Sequence, residues 1–214
     1  IREALRKYGG RNFFEISTFG FALGGSGLGG SSSFLVALLA ALQKSNKCKI
    51  NNFDLALEAA KLEIFNIKKP IGYQDHFLSA LGDINCLTFS RGSNVKTIEL
   101  SNEKKIVLNR IINNLFLVSS FKTRSADKVL QNLQKCRSSI EDINQIKSIA
   151  YSFIKNSDKR DHIIEELLHA SIKESWMIKK EMTSVLDPEL KEQYKILDAL
   201  IPNNWIRLLG AGSG

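Results

Sequence analysis

The sequence predicts an α/β chain in two parts, an N-terminal domain mixing sheet and helix and a helix-rich C-terminal domain around a smaller sheet. Three observations carry this. A glycine- and serine-rich loop, Gly24 to Phe34 (GGSGLGGSSSF), runs straight into the apolar segment LVALLAAL. Short segments rich in Ile, Val, Phe and Thr, bounded by turn residues, lie on either side of helical patterns. After a polar, charged stretch at Asn102 to Lys105, the pattern becomes almost wholly helical. A domain boundary is placed there, giving domains 1–104 and 105–214.

The elements follow in order. Ile1 to Tyr8 reads as the end of a helix stopped by Gly9-Gly10. Asn12 to Phe19, with weak alternation, is expected to be a strand. Ser31 to Lys44 is mostly apolar and is expected to be a buried helix. Asn51 to Asn66 is a second helix, with Asn52 or Asp54 as its cap and Leu55, Ala59, Leu62 and Phe65 at helical spacing. Lys68-Lys69-Pro70-Ile71-Gly72 breaks that pattern, and Gln74 to Leu81 forms a short helix before Gly82-Asp83. Ile84 to Phe89 and Val95 to Leu100 read as strands joined by Arg91-Gly92-Ser93. Leu115 to Phe121 is expected to be a strand. Helices are then expected at Ser125–Arg137, Ser139–Asn156, Asp161–Met182 and Pro188–Leu200, with a last strand at Trp205–Leu209 before the terminal glycines.

The chain carries 30 basic and 22 acidic residues in 214, a net charge of +8. A basic balance can mean nucleic acid, but the Lys and Arg are scattered, without a dense run or interleaved aromatics, and anionic small substrates such as nucleotides and sugar phosphates explain it as well. No apolar run reaches the length of a membrane span. Neither end resembles a natural terminus: there is no initiator Met, and the sequence stops on glycines after an apolar run. Cys48, Cys86 and Cys136 are far apart, lack zinc spacing and read as reduced thiols of a cytoplasmic protein.

The glycine loop is the first candidate site. Backbone amides turned inward, together with a helix N-terminus, make a nest for phosphate, whereas a flexible linker would not lead directly into a buried helix. Gly29-Gly30-Ser31 has no Lys, which excludes a Walker A loop. Gly25, Gly27 and Gly30 fit a dinucleotide fingerprint in outline, but the acidic residue it needs about 20 positions on, at a strand end, is missing. The serines suit a phosphate-plus-magnesium site, since hydroxyls are hard oxygen ligands. Glu63 and Asp75 lie downstream, separated by a Pro/Gly turn. Either alone reads as a partly exposed helix charge. Together they supply what a kinase needs, a carboxylate for magnesium and one to accept a proton. His76 stands beside Asp75 and is a candidate to tune it. Lys68-Lys69 and Lys179-Lys180 read as solvated helix ends. His162, Glu166 and His169 share a helix face without a fourth metal ligand.

These motifs, in this order, resemble the GHMP kinase superfamily. Its phosphate loop is matched by LGGSGLGGSSS at Leu23 to Ser33. Within the superfamily the chain is similar to the D-glycero-D-manno-heptose 7-phosphate kinase family, through Gly72-Tyr73-Gln74-Asp75-His76, Lys122-Thr123-Arg124-Ser125-Ala126, Trp176 with Lys179, and Arg207 to Gly214. The resemblance implies the two-domain GHMP architecture with ATP and sugar bound between the domains. It also implies a chain lacking both ends, because the family's first motif and last strand are absent. Leu23-Gly24 replace the usual prolines before the loop, and Gly30 replaces a usual Ser.

The roles implied are these. Gly25, Ser26, Gly27, Leu28, Gly29, Gly30, Ser31 and Ser32 would bind ATP. Ser31, with Ser32 as its neighbour candidate, and Glu63 would hold Mg2+. Asp75 would be the catalytic base or orient the sugar hydroxyl. Arg124, Lys179 and Gly212 are candidates to bind substrate, with a surface arginine and a solvated helix charge as the plain readings of the first two. Trp176 is core or pocket wall. The implied reaction is ATP-dependent phosphorylation of the anomeric hydroxyl of a heptose 7-phosphate. Another GHMP-type sugar or isoprenoid kinase, or a non-catalytic relative, is the alternative. The expected partner is a sugar phosphate, with neither nucleic acid nor membrane; homo-oligomerisation stays open.

Overall fold

A computed structural model describes residues 1–10, 13–19, 27–90, 94–119, 139–156, 161–181, 188–201 and 206–209. The chain divides into two compact units, Ile1–Leu100 and Ser101–Gly214.

The first unit contains α1 (Arg2–Tyr8), α2 (Gly30–Ser45), α3 (Asn52–Lys61), a π-helical turn (Leu62–Asn66), α4 (Gln74–Leu81), and the strands β1 (Cys86–Ser90) and β2 (Asn94–Ile98). β1 and β2 pair antiparallel, with Cys86 opposite Ile98 and Ser90 opposite Asn94. The apolar stripe of α2 makes the main core. Leu35, Leu38, Leu39 and Leu42 pack with Ala4 of α1, with Leu55 and Ala59 of α3, and with Leu62. Ala59 and Ala60 are fully buried, and small residues on this face let helices approach closely. A second cluster joins α3, α4 and the hairpin through Ala56, Phe77 and Val95. In it, Phe53 meets Phe77 edge-on with ring centroids 4.9 Å apart.

The start of α3 is fixed by Asn51, ahead of both expected caps, Asn52 and Asp54. Its Oδ1 accepts from the Asp54 N–H at 2.8 Å, and its Nδ2 donates to Asp54 Oδ2 at 2.7 Å. The end is unlike the uniform helix expected to Asn66. The last turn widens to π geometry, with the Ile67 N–H bonded to the Leu62 carbonyl. Such turns insert one extra residue and re-aim the side chains within them.

The second unit contains α5 (Asn102–Ile112), α6 (Ser139–Asn156), α7 (Asp161–Glu181) and α8 (Pro188–Leu200). Asn102 to Lys105, taken from composition as a boundary, is the first turn of α5, with the Ser101 hydroxyl accepting from the Lys104 N–H at 3.3 Å. Val107 and Ile111 of α5 pack on Ile164 of α7, with Phe153 of α6 against them. Trp176 packs with Leu190, Tyr194 and Leu208.

Three expected strands are corrected. Residues 13–19, 115–119 and 206–209 carry no regular structure. The expected C-terminal sheet has no strand among the described residues. β-Branched and aromatic residues become strand only where a neighbouring edge accepts their hydrogen bonds, and here β1 and β2 alone pair among the described residues. The helix expected at 125–137 lies outside the described residues.

Leu39 is fully buried at the centre of α2, so Leu39→Ala should cost about 2–5 kcal/mol. Urea denaturation of the two proteins measures this. A loss below about 1 kcal/mol would mean that α2 is not the core helix.

Candidate active site

The site grows from the entry to α2. Gly29 is its N-cap, with φ 71°, in the left-handed region that glycine adopts without strain. The first bond of the helix runs from the Ser33 N–H to the Gly29 carbonyl at 2.9 Å. The amides of Gly30, Ser31 and Ser32 precede that bond and so point out of the helix end. The N-cap, a glycine, gives them no side-chain cap. This is the geometry that receives an anion.

The hydroxyls of the same turn meet Glu63. Ser31 Oγ donates to Glu63 Oε1 at 2.5 Å and Ser32 Oγ to Oε2 at 3.2 Å. Lys69 Nζ donates to Oε1 at 2.8 Å, and His76 Nε2 meets Oε2 at 2.7 Å. A carboxylate only accepts, so His76 carries its proton on Nε2. Each oxygen of Glu63 thus receives two donors. The side chain is 2% exposed. Burial alone would push its pKa up, but the hydrogen bonds from His76, Lys69 and Ser31 and the charge of Lys69 outweigh that, holding it at about 2. The π turn delivers Glu63 to this position, since Glu63 is its second residue. His76 is fully buried, and its Nδ1 has no partner among the described residues.

Asp75 lies on the first turn of α4 and is exposed. A Cβ built on Gly29 would come within 3.3 Å of Asp75 Cβ and Cγ and 3.4 Å of Oδ2. The Asp75 carboxyl therefore packs against the loop backbone where the amides begin. Loop, Glu63 and Asp75 belong to one unit and one corner of it.

Two readings of the sequence need correction here. His76 serves Glu63 rather than Asp75, and Lys69 is a bonded member of the site rather than a solvated helix end. Neither residue carried a spacing signal. Lys69 reaches back after a left-handed Lys68, φ 61°, with the Lys69 N–H bonded to the Glu63 carbonyl at 3.1 Å.

Of the other candidates, Gly27, Leu28, Gly29, Gly30, Ser31 and Ser32 are in place at the loop, while Gly25, Ser26, Arg124 and Gly212 lie outside the described residues. Lys179 is half-buried on α7; its pKa is lowered by burial and by nearby Arg207. Trp176 is a core residue. Among the described residues, no three His, Cys, Asp or Glu side chains are grouped to hold a metal, and this includes His162, Glu166 and His169.

Residues 1–83 match the family model of the GHMP kinases N terminal domain. The matched span includes the loop, Glu63 and Asp75. A search of curated proteins finds no match. No helix among the described residues is long and apolar enough to cross a membrane.

The lowered pKa of Glu63 makes stability depend on pH. The ionised carboxylate contributes fully above its ordinary value of 4.5, and the contribution is lost as pH falls toward about 2. Urea midpoints should therefore fall less steeply over this range in Glu63→Gln than in the parent chain. Equal slopes would contradict the bonding described. Gly29→Ala should cost about 1–2 kcal/mol through its left-handed backbone, and should also displace Asp75. A stability unchanged in the same denaturation measurement would refute that strain.

Proposed function

We propose that the chain is an ATP-dependent kinase that phosphorylates the anomeric hydroxyl of a sugar phosphate, D-glycero-D-manno-heptose 7-phosphate, giving the 1,7-bisphosphate. One observation carries the kinase reading: the Ser31–Glu63 pair stands directly beneath the open amides of α2, with Asp75 against the same loop. Positioning and electrostatics supply most of what phosphoryl transfer needs.

The donor set fits magnesium. Ser31 Oγ and Glu63 Oε1 are hard oxygens that already share one cation, the Lys69 ammonium. A site with a single carboxylate suits a metal that takes its other ligands from phosphate and water. Magnesium, when bound there, would neutralise charge on the β- and γ-phosphates. The chain's own residues would do the rest. Amides of Gly27 to Ser32 cradle the phosphates. Glu63, fixed by Ser32 and His76 through Oε2, keeps Oε1 aimed at the loop. Asp75 orients the attacking hydroxyl and accepts its proton. Lys179 is the proposed contact for the substrate phosphate, and Arg124 and Gly212 are assigned with it by resemblance.

The heptose assignment rests on the resemblance at Gly72 to His76, Trp176 and Arg207 to Gly214. Incubation with ATP and a panel of sugars, sugar phosphates and isoprenoid alcohols, followed by product analysis, tests it. Heptose 7-phosphate should be consumed fastest, and turnover of another acceptor instead would reassign the substrate. Asp75→Asn should lower kcat by at least about a hundredfold while nucleotide affinity, measured by calorimetry, stays nearly unchanged. Equal loss of both would remove Asp75 from the chemistry.

A further inference from the structure

Lys69 sits on the two oxygens just assigned to the metal. Its Nζ is 2.8 Å from Ser31 Oγ and 2.8 Å from Glu63 Oε1. An ammonium held there leaves no room for a second cation on the same pair of atoms. We propose that Lys69 is the resident cation of this site, so that a divalent metal binds by displacing it and Lys69 sets the chain's metal affinity. The proposal rests on the magnesium site given above.

Several features support an exchange rather than a fixed ion pair. Lys69 is delivered to the site by its own backbone: the left-handed Lys68 turns the chain, and the Lys69 N–H bonds the carbonyl of Glu63 itself. The side chain is 31% exposed while Glu63 is 2% exposed. The ammonium can therefore withdraw into solvent without the carboxylate moving. Oε2 stays anchored by Ser32 and His76 when Lys69 leaves. Only Ser31 Oγ and Glu63 Oε1 are freed, on the side facing the start of α2. Until then Lys69 neutralises a carboxylate that would be costly to bury unpaired. In the exchange Lys69 would give up its two N–H···O bonds to water, and Ser31 Oγ and Glu63 Oε1 would be left to hold the metal.

The test is titration of the chain with Mn2+ alone, without nucleotide, following loss of the free aqueous Mn2+ resonance. Removing the unit charge in Lys69→Met should tighten binding by about tenfold or more, and Lys69→Gln should do the same. Lys69→Arg, which keeps the charge, should stay close to the parent chain. Adding Glu63→Gln to Lys69→Met should abolish the tight binding. If the uncharged variants bind no tighter than the parent, and binding still requires Glu63, the role of Lys69 is overturned and the metal site stands. If binding is absent throughout, or indifferent to Glu63→Gln, both fall.

Discussion

A single buried carboxylate constrains the N-terminal unit. Glu63 is almost wholly excluded from water and remains ionised. An isolated charge in that position would be prohibitive, and it is tolerated only because donors satisfy both oxygens. Those donors come from separate elements: Ser31 and Ser32 from the first turn of α2, Lys69 from the connection after the π turn, and His76 from α4. Each element must end or begin where it does for the bonds to form. The π turn sets the aim of Glu63, the left-handed Lys68 returns Lys69 to it, and the apolar cluster around Phe77 holds α4 so that the neighbouring His76 faces inward.

The same constraint organises the chemistry proposed for the site. By binding the hydroxyls of α2's first turn, Glu63 fixes a helix end whose amides remain open. The loop backbone at Gly29 then lies against Asp75. The groups proposed for phosphate recognition, cation binding and proton acceptance thereby share one frame, with α2's buried leucines behind it. Catalytic groups carried on packed helices hold their geometry better than groups on loops.

Much of this frame was legible in the sequence. The run of glycines and serines into an apolar segment gave the entry to α2, because only that pattern joins a turn-permissive backbone to a buried helix. Glu63 and Asp75 could be singled out by their order after the loop, and Gln74–Leu81, Ser139–Asn156 and Pro188–Leu200 emerged with the bounds expected from periodicity. What was not legible depended on contacts distant in sequence or on rare backbone geometry. Lys69 looks like any solvated lysine until the φ of Lys68 and the π turn bring it back 38 residues along the chain to Ser31. His76 looks tied to Asp75 by adjacency, yet consecutive residues on a helix point about 100° apart, and His76 faces the core. The strands expected at Asn12 to Phe19 and Leu115 to Phe121 had suitable composition. Composition cannot say whether an edge is there to pair with.

The central claim is that Glu63, held by α2's serines, completes a magnesium–nucleotide site. Calorimetric titration of the chain with a non-hydrolysable ATP analogue, with and without Mg2+ and in parallel with Glu63→Gln, tests it most directly. Binding should require Mg2+ and be lost in Glu63→Gln while the variant remains folded. Binding that is absent from the parent chain, or that persists unchanged in the variant, would contradict it.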